Sequence, residues 1–177
     1  DAAQSYGSNY NSKNLGTFGD IGCFSFHETK NIHAGLAGAI FIKNKYLYKR
    51  ALSIRDRGTN RHLLVKKKIK NYSWVEIGGS YYPTELQAAF LYSQLKNIAV
   101  NIKKRGVLFK CYEKYLGQLK QNKAFYFSEI NKKLISNYHA FYIILNTSKS
   151  CFKLRKFLAK KNIYAHTWYM PLHQSLI

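Results

Sequence analysis

Long hydrophobic runs are missing from this sequence. No apolar stretch approaches the ~20 residues that a membrane-spanning helix needs, although 46% of the residues are hydrophobic and 16% aromatic. That apolar content also excludes a disordered tail, so a globular chain with no membrane partner is expected. The opening residues, "DAAQSYGSNY", have neither a basic region nor an apolar core of the kind a secretory signal carries, and export is not expected. Cysteine is sparse as well. Cys23, Cys111 and Cys151 are odd in number and far apart, with no C-x-x-C pair to hold zinc or cycle as a redox couple. A reducing, cytoplasmic setting is the expectation.

Acidic residues are few: 8 Asp and Glu stand against 29 Lys and Arg, for a formal net charge of +21. Clustered cations release counterions from nucleic-acid phosphates, so this imbalance raises a nucleic-acid reading. The composition argues against it. Lysine supplies 23 of the 29 basic residues, in the company of many Asn, Ile, Tyr and Phe, which is what an AT-rich coding bias produces whatever the function. The densest run, "KKKIK" at 66–70, lacks an aromatic ladder or a reader motif and is expected to be a solvated face. No specific nucleic-acid partner is expected.

What is present alternates between strand and helix patterns. Residues 7–22 are rich in Gly, Ser and Asn and favour turns, and "GCFSF" then reads as a short buried strand with Lys30 just beyond it. "AIFIK" at 39–43 is a second strand, and 46–56 a helix with Leu47, Ala51 and Ile54 on one face. From Pro83 and Thr84 a long helical pattern runs through Leu86, Phe90, Leu95, Ile98, Ile102, Leu108, Tyr112 and Leu119. Thr84 is an unusual N-cap directly after proline, and Gly106 is expected to mark a kink or a break between two helices. Further on, "HAFYIIL" at 139–145 reads as a strand, "SKSCFKLRKFLAKKN" as a helix, and "IYAHTWYMPLH" as a strand running into a loop. The pattern predicts an α/β layer architecture, with a domain boundary near 95–105.

Several chemistries fail on motif. His27 and Glu28 begin like the zinc-protease pattern H-E-x-x-H, but Asn31 stands in the fifth place, and His33 has no acidic partner at a helical offset. No metal site is expected. A serine hydrolase elbow, G-x-S-x-G, is absent. A lysine nucleophile remains. It must be held in one place and spend time unprotonated to react with an aldehyde, and pyridoxal phosphate also needs an anion at its ring nitrogen and donors for its phosphate. Asp1, Ser25 and Lys30 offer these three groups. On spacing alone another reading stays open, in which Asp1 caps a turn, Ser25 pairs within a sheet and Lys30 is solvated.

Five stretches together carry a resemblance: "DAAQ" at 1–4, "LGTFGDIGCFSFHETKN" at 15–31, "RDRGTNR" at 55–61, "IGGSYYPTELQAAFLYSQL" at 77–95 and "YMPLH" at 169–173. In order and approximate spacing they resemble the DegT/DnrJ/StrS family of pyridoxal phosphate (PLP)-dependent sugar aminotransferases. "FHETKN" and "RGTNR" are most similar to its members that make dTDP-4-amino-4,6-dideoxygalactose for a cell-surface polysaccharide, the enterobacterial common antigen. The resemblance implies the α/β fold of type I PLP-dependent transferases, the aspartate aminotransferase-like fold. Residues 1–95 would form the C-terminal part of the large, cofactor-binding domain, and 96–177 an incomplete small α+β domain. It implies transfer of an amino group from L-glutamate to the 4-keto group of a dTDP-linked 6-deoxyhexose, by a homodimer.

Carried over residue by residue, the resemblance makes Lys30 the lysine that binds the cofactor covalently and moves the proton. Asp1 would pair with the pyridine nitrogen, Gln4 lie along the ring near its 3′-oxygen, and Ser25 donate to the phosphate. Ser80 stands where many relatives place an asparagine that reaches the phosphate of the neighbouring subunit. Tyr169 and His173 fall in a segment near the substrate, and His27 is expected to pack. Two departures stand against activity. "GLAGA" at 35–39 lacks the acidic residue and two glycines of close relatives. The chain also begins at the aspartate, so it reads as a fragment without the N-terminal part, and the alternative is an inactive remnant. A basic nucleic-acid-binding protein is the more distant alternative.

Overall fold

The computed structural model describes residues 1–119, 124–127 and 129–176. Two compact units share the chain. The first comprises Asp1–Tyr112 with Ile130–Phe141, the second Glu113–Glu129 with Tyr142–Ile177. No single cut in the sequence separates them, because the chain returns to the first unit after leaving it.

In the first unit, β1 (Asn9–Tyr10) and β2 (Lys13–Asn14) form a hairpin with Tyr10 opposite Lys13. Its two turn residues, Asn11 and Ser12, both have positive φ (48° and 61°), the backbone that suits a two-residue turn to the twist of the strands. On its other edge β1 pairs antiparallel with β6 (Leu134–Ile135), a strand from the returning segment. The main ladder joins β3 (Ile21–Ser25) to β4 (Gly38–Ile42), antiparallel, with Ser25 opposite Gly38. These are the two strands legible in the sequence, each shifted by one residue.

Helix α1 (Lys45–Arg55) starts where Asn44 Oδ1 accepts from the amides of Tyr46 and Leu47, satisfying two of the donors a helix start leaves open. A short α2 (Arg61–Val65) follows. The long helical pattern becomes α3 (Glu85–Lys96) and α4 (Ile98–Gly117). Thr84 does cap α3, in a capping box: its hydroxyl accepts from Gln87 N–H while Gln87 Oε1 accepts from Thr84 N–H. Proline before a cap is compatible because its ring restricts Tyr82, the residue ahead of it, and Pro83 lies outside the helix, where no helical hydrogen bond is lost. The break falls at Asn97, not at Gly106 as the sequence predicted. Gly106 is buried inside α4, and a Cβ there would stand 2.8 Å from the Tyr138 ring, so glycine serves close packing instead of a break.

The second unit holds β5 (Phe125–Tyr126) paired antiparallel with β7 (Ile144–Leu145), and α5 (Ser148–Lys160), capped by the Thr147 hydroxyl. Cys151, Leu154 and Leu158 form the half-buried stripe of α5 at helical spacing. The strand predicted over 139–145 shrinks to Ile144–Leu145: residues 139–141 belong to the first unit, and His139 gives its backbone N–H and carbonyl to the side chains of Asn137 and Arg105. The strand predicted from Ile163 is not formed, and 172–174 make a 3-10 turn. None of the described helices is long and apolar enough to cross a membrane.

The buried apolar side chains of the first unit are Ala2, Phe26, Ile32 and Ala34. They come from the first residues and from the loop between β3 and β4, so the core lies directly beneath the segment that carries Lys30. Tyr6 packs edge-on against Phe24 (5.7 Å between centroids) and Phe26 (5.6 Å), fixing that segment from the side.

Candidate active site

The chain start is tied to β3 by one backbone hydrogen bond, Ala2 N–H to Cys23 O at 2.9 Å, with Ala2 buried. Glycines allow this approach. A Cβ on Gly22 would sit 1.8 Å from Gly16 O, and one on Gly16 would meet the Phe24 ring and Ala2. Asp1 is exposed at this junction, and its Oδ1 accepts from Ala3 N–H at 2.8 Å, so it caps a turn while its second oxygen remains an acceptor for another partner. Gln4, also exposed, accepts through its backbone carbonyl from Asn137 Nδ2 at 2.8 Å.

Ser25 ends β3, opposite Gly38. Its hydroxyl oxygen accepts from His27 N–H at 3.3 Å, which leaves the hydroxyl proton to donate elsewhere, as a phosphate oxygen requires. The chain then turns sharply: Lys30 N–H donates to His27 O at 2.9 Å, and His27 Nδ1 meets the Thr29 hydroxyl (3.0 Å) and accepts from its amide (3.2 Å). His27 therefore shapes the loop. Lys30 is half-buried at the end of this turn. His33 is engaged by α3, its backbone forming two hydrogen bonds with the Gln94 side chain while its ring packs on Phe90, an arrangement that docks the loop on that helix.

Residues absent from the sequence-based list complete the surroundings of Lys30. Asn31 Nδ2 donates to Asn137 O (2.8 Å), and Asn31 Oδ1 is 3.0 Å from His139 Nδ1. Asn137 is buried and donates through Nδ2 to the carbonyls of both Gln4 and Tyr6, while its own amide donates to Ser8 Oγ. Arg105, on α4, donates to the carbonyls of Tyr138 (2.8 Å) and His139. Burial pushes the His139 imidazole below its ordinary value, and the nearby cations of Lys30 and Arg105 push it the same way. Through Asn137 and Asn31, then, the Gln4 segment and the Lys30 loop share one hydrogen-bonded network. Nothing local announces the pairing: Asn31 closes the family stretch at 15–31, but its partner His139 is 108 residues away and lies in no motif.

Ser80 lies elsewhere in the same unit. It bridges to Asp56 within a knot of turns around "RDRGTNR", where Gly58 N–H donates to Ser53 O, and the amides of Val75 and Glu76 both donate to Gly58 O. Asp56 is buried and faces Arg57 at 3.3 Å and Arg61 at 3.9 Å. Ser80 lines a cavity of about 220 Å³ with Ala37, Gly38, Tyr82 and Gln87, and so shares space with Gly38, the ladder partner of Ser25. The "GLAGA" segment keeps glycine where it matters, since a Cβ on Gly38 would come 2.9 Å from Phe24 O. Tyr169 and His173 belong to the second unit. Both are exposed there, His173 within the 172–174 turn.

This donor set suits an anionic aldehyde: a half-buried amine, a carboxylate with a spare oxygen, and a serine hydroxyl free to donate. Comparison with known proteins agrees. The GDP-perosamine synthase of Escherichia coli O157:H7 is 30% identical over 176 residues, covering 98% of this chain and 44% of that protein. A UDP-4-amino-4,6-dideoxy-N-acetyl-β-L-altrosamine transaminase of Campylobacter jejuni is 28% identical over 176 residues, covering 98% and 45%. The chain thus spans less than half the length of these curated relatives. The crystal structure of the aminotransferase TlmJ from Streptoalloteichus hindustanus superposes with a TM-score of 0.85 at 19% identity, over 99% of this chain and 45% of that one. The fold is therefore part of the α/β fold of type I PLP-dependent transferases expected from the sequence. With its residues 1–177 matching throughout, the chain belongs to the DegT/DnrJ/EryC1/StrS aminotransferase family.

Proposed function

We propose that this chain carries the lysine-bearing part of a PLP-dependent nucleotide-sugar aminotransferase, with L-glutamate as amino donor. The observation that supports it most is the placement of Lys30: a half-buried amine one turn beyond Ser25, on a loop whose neighbour Asn31 is wired through Asn137 to the Gln4 segment. Bound there, PLP would supply an electron sink that lets an amino group leave one carbon and join another. The chain's own residues would do the rest. Lys30 would hold the cofactor and carry the proton at its Nζ, and Asp1 would keep a positive charge on the ring nitrogen. Ser25 would donate to the phosphate, Gln4 would flank the ring, and Ser80 would reach the phosphate of a neighbouring subunit in a homodimer. Tyr169 and His173 would touch the sugar.

The finer reading, a dTDP-linked 4-keto-6-deoxyhexose converted to dTDP-4-amino-4,6-dideoxygalactose for a surface polysaccharide, rests on "FHETKN" and "RGTNR". The two relatives above are named for GDP- and UDP-linked products, so the carrier nucleotide is the part to test. The domain reading, 1–95 with the large domain and 96–177 with the small one, belongs to the same proposal. The compact units differ from it in giving 96–112 and 130–141 to the first. A cytoplasmic location goes with three cysteines that are all free thiols.

The test is a visible absorption scan of the purified chain with added PLP, beside Lys30→Ala. A band present in the wild type and absent from the variant supports the reading, and its absence from both favours the inactive remnant. Where the band forms, dTDP-, GDP- and UDP-linked 4-keto sugars offered with L-glutamate separate the carriers by the yield of 2-oxoglutarate.

A further inference from the structure

The hydrogen bonds around Lys30 fix more than the fold. Only an N–H can donate to the Asn137 carbonyl, so Asn31 Nδ2 must face it, at 2.8 Å. That choice turns Asn31 Oδ1 towards His139, 3.0 Å from Nδ1. An amide oxygen can only accept, so the proton of the imidazole is on Nδ1, and in the neutral ring Nε2 keeps a bare lone pair.

The backbone that carries the ring is held as well. His139 N–H donates to Asn137 Oδ1 at 3.1 Å, and Arg105 grips the carbonyls of Tyr138 and His139 from α4. The charged and polar groups acting on the imidazole are Lys30 and Asn31 from the loop after β3 and Arg105 from α4, while Asn137 holds the His139 backbone. Partial burial, with the cations of Lys30 and Arg105, disfavours the charged form of the ring. This network ends one residue from Lys30, on a loop that is also held by turns of its own and, through His33 and Gln94, by α3.

We propose that His139 is a positioning residue for Lys30, acting through the side chain of Asn31. It deepens the reading above and takes from it only that Lys30 is the reactive amine. The Nδ1–H bond holds Asn31, and Asn31 holds the adjoining Lys30 backbone, so the direction in which the amine leaves the loop depends on a residue more than a hundred positions away. A histidine present only for packing would show no such dependence.

The substitutions follow from shape. The amide nitrogen of asparagine lies where His139 Nδ1 lies, so His139→Asn keeps the donor. The longer glutamine places its amide near Nε2, so His139→Gln loses it, and Asn31→Ala removes the acceptor. The readout is the rate at which acetic anhydride acylates Lys30 in the full chain without added cofactor, mapped by mass spectrometry of peptides and followed from pH 6 to 9. His139→Gln and Asn31→Ala are expected to move the Lys30 rate by about threefold or more towards that of the exposed Lys67, with the double variant no further displaced than either single one. His139→Asn is expected to stay within about twofold of the wild type, and Lys67 is expected to be unchanged throughout.

An unmoved Lys30 rate in His139→Gln and Asn31→Ala overturns the proposal, as does a His139→Asn variant that behaves like His139→Gln. Should a variant not fold, ¹⁵N chemical shifts of the wild-type histidines decide: His139 as the Nδ1–H tautomer upholds it, and the Nε2–H tautomer overturns it. If the rates shift as expected but the wild type gives no PLP band, the aminotransferase reading falls and the positioning role stands. If the band forms and the rates do not move, the reverse holds.

Discussion

The loop around Lys30 and the segment around Tyr169 are both short, aromatic and histidine-containing, yet they are built in opposite ways. In the first, Asn31, Asn137 and His139 turn their polar atoms inward, and Phe26, Ile32 and Ala34 are buried beneath. In the second, Tyr164 and Tyr169 are each 83% exposed and Leu172 is 87% exposed. A residue type alone therefore says little about a site. What separates the two is whether distant parts of the chain close over the polar groups, since a buried amide without a partner costs about 1–3 kcal/mol and so compels a defined geometry.

Substitutions sharpen that contrast. The largest effect is expected at Lys30 itself: Lys30→Ala should abolish the absorption band with PLP while leaving the melting temperature close to that of the wild type. Gly22→Ala should destabilise the first unit by about 2–4 kcal/mol in a denaturant titration, because its Cβ would be driven into the Gly16 carbonyl, backbone against backbone. Asn137→Ala should cost about 2–3 kcal/mol by the same measure, since it leaves the Gln4 and Tyr6 carbonyls without their shared donor. A loss under about 0.5 kcal/mol would mean that water replaces that amide and that the network is dispensable.

A smaller effect is expected from pH. The folded pKa of His139 lies below its ordinary value of 6.5, so the unfolded chain binds the proton more readily. Stability from this source is full above about pH 6.5 and is lost as the pH falls from there towards the folded value. His62 acts in the same direction, lowered by burial and by Lys66 and Arg55. The decisive measurement is the difference in melting temperature between wild type and His139→Asn from pH 7.5 to 5, which should narrow on acidification. The smallest effect belongs to the exposed segment: Tyr169→Phe and His173→Ala should change stability by no more than about 0.5 kcal/mol. A larger loss would show that these side chains are covered in solution and would erase the contrast.

Legibility followed the range of the interactions. The strands β3 and β4 and the helices α1 and α5 could be read because each depends on residues within a few positions of one another, whereas the Thr84 cap, unusual after proline on sequence grounds, is formed all the same. Gly106 misled because a glycine in a helix signals a break locally, whereas here it admits the Tyr138 ring from a segment more than thirty residues later. Residues 139–141 misled for a related reason: an apolar stretch begins beside Arg105, whose guanidinium takes the carbonyls of Tyr138 and His139. Lys30 and Ser25 stood out through a family pattern that also contains Asn31, but nothing in it gave Asn31 a role, and Asn137 and His139 gave no signal.

The sequence by itself determined where the strands β3 and β4 and the helices α1 and α5 lie, and that one lysine follows a strand within a family's wording. Those features rest on backbone propensity and neighbouring side chains, which a linear reading contains. Tertiary structure alone decided that residues 31, 137 and 139 meet beside that lysine, and which imidazole nitrogen carries the proton. Hydrogen bonds between groups a hundred residues apart exist only once the chain has closed, and their direction is set by donors and acceptors that no local pattern brings together.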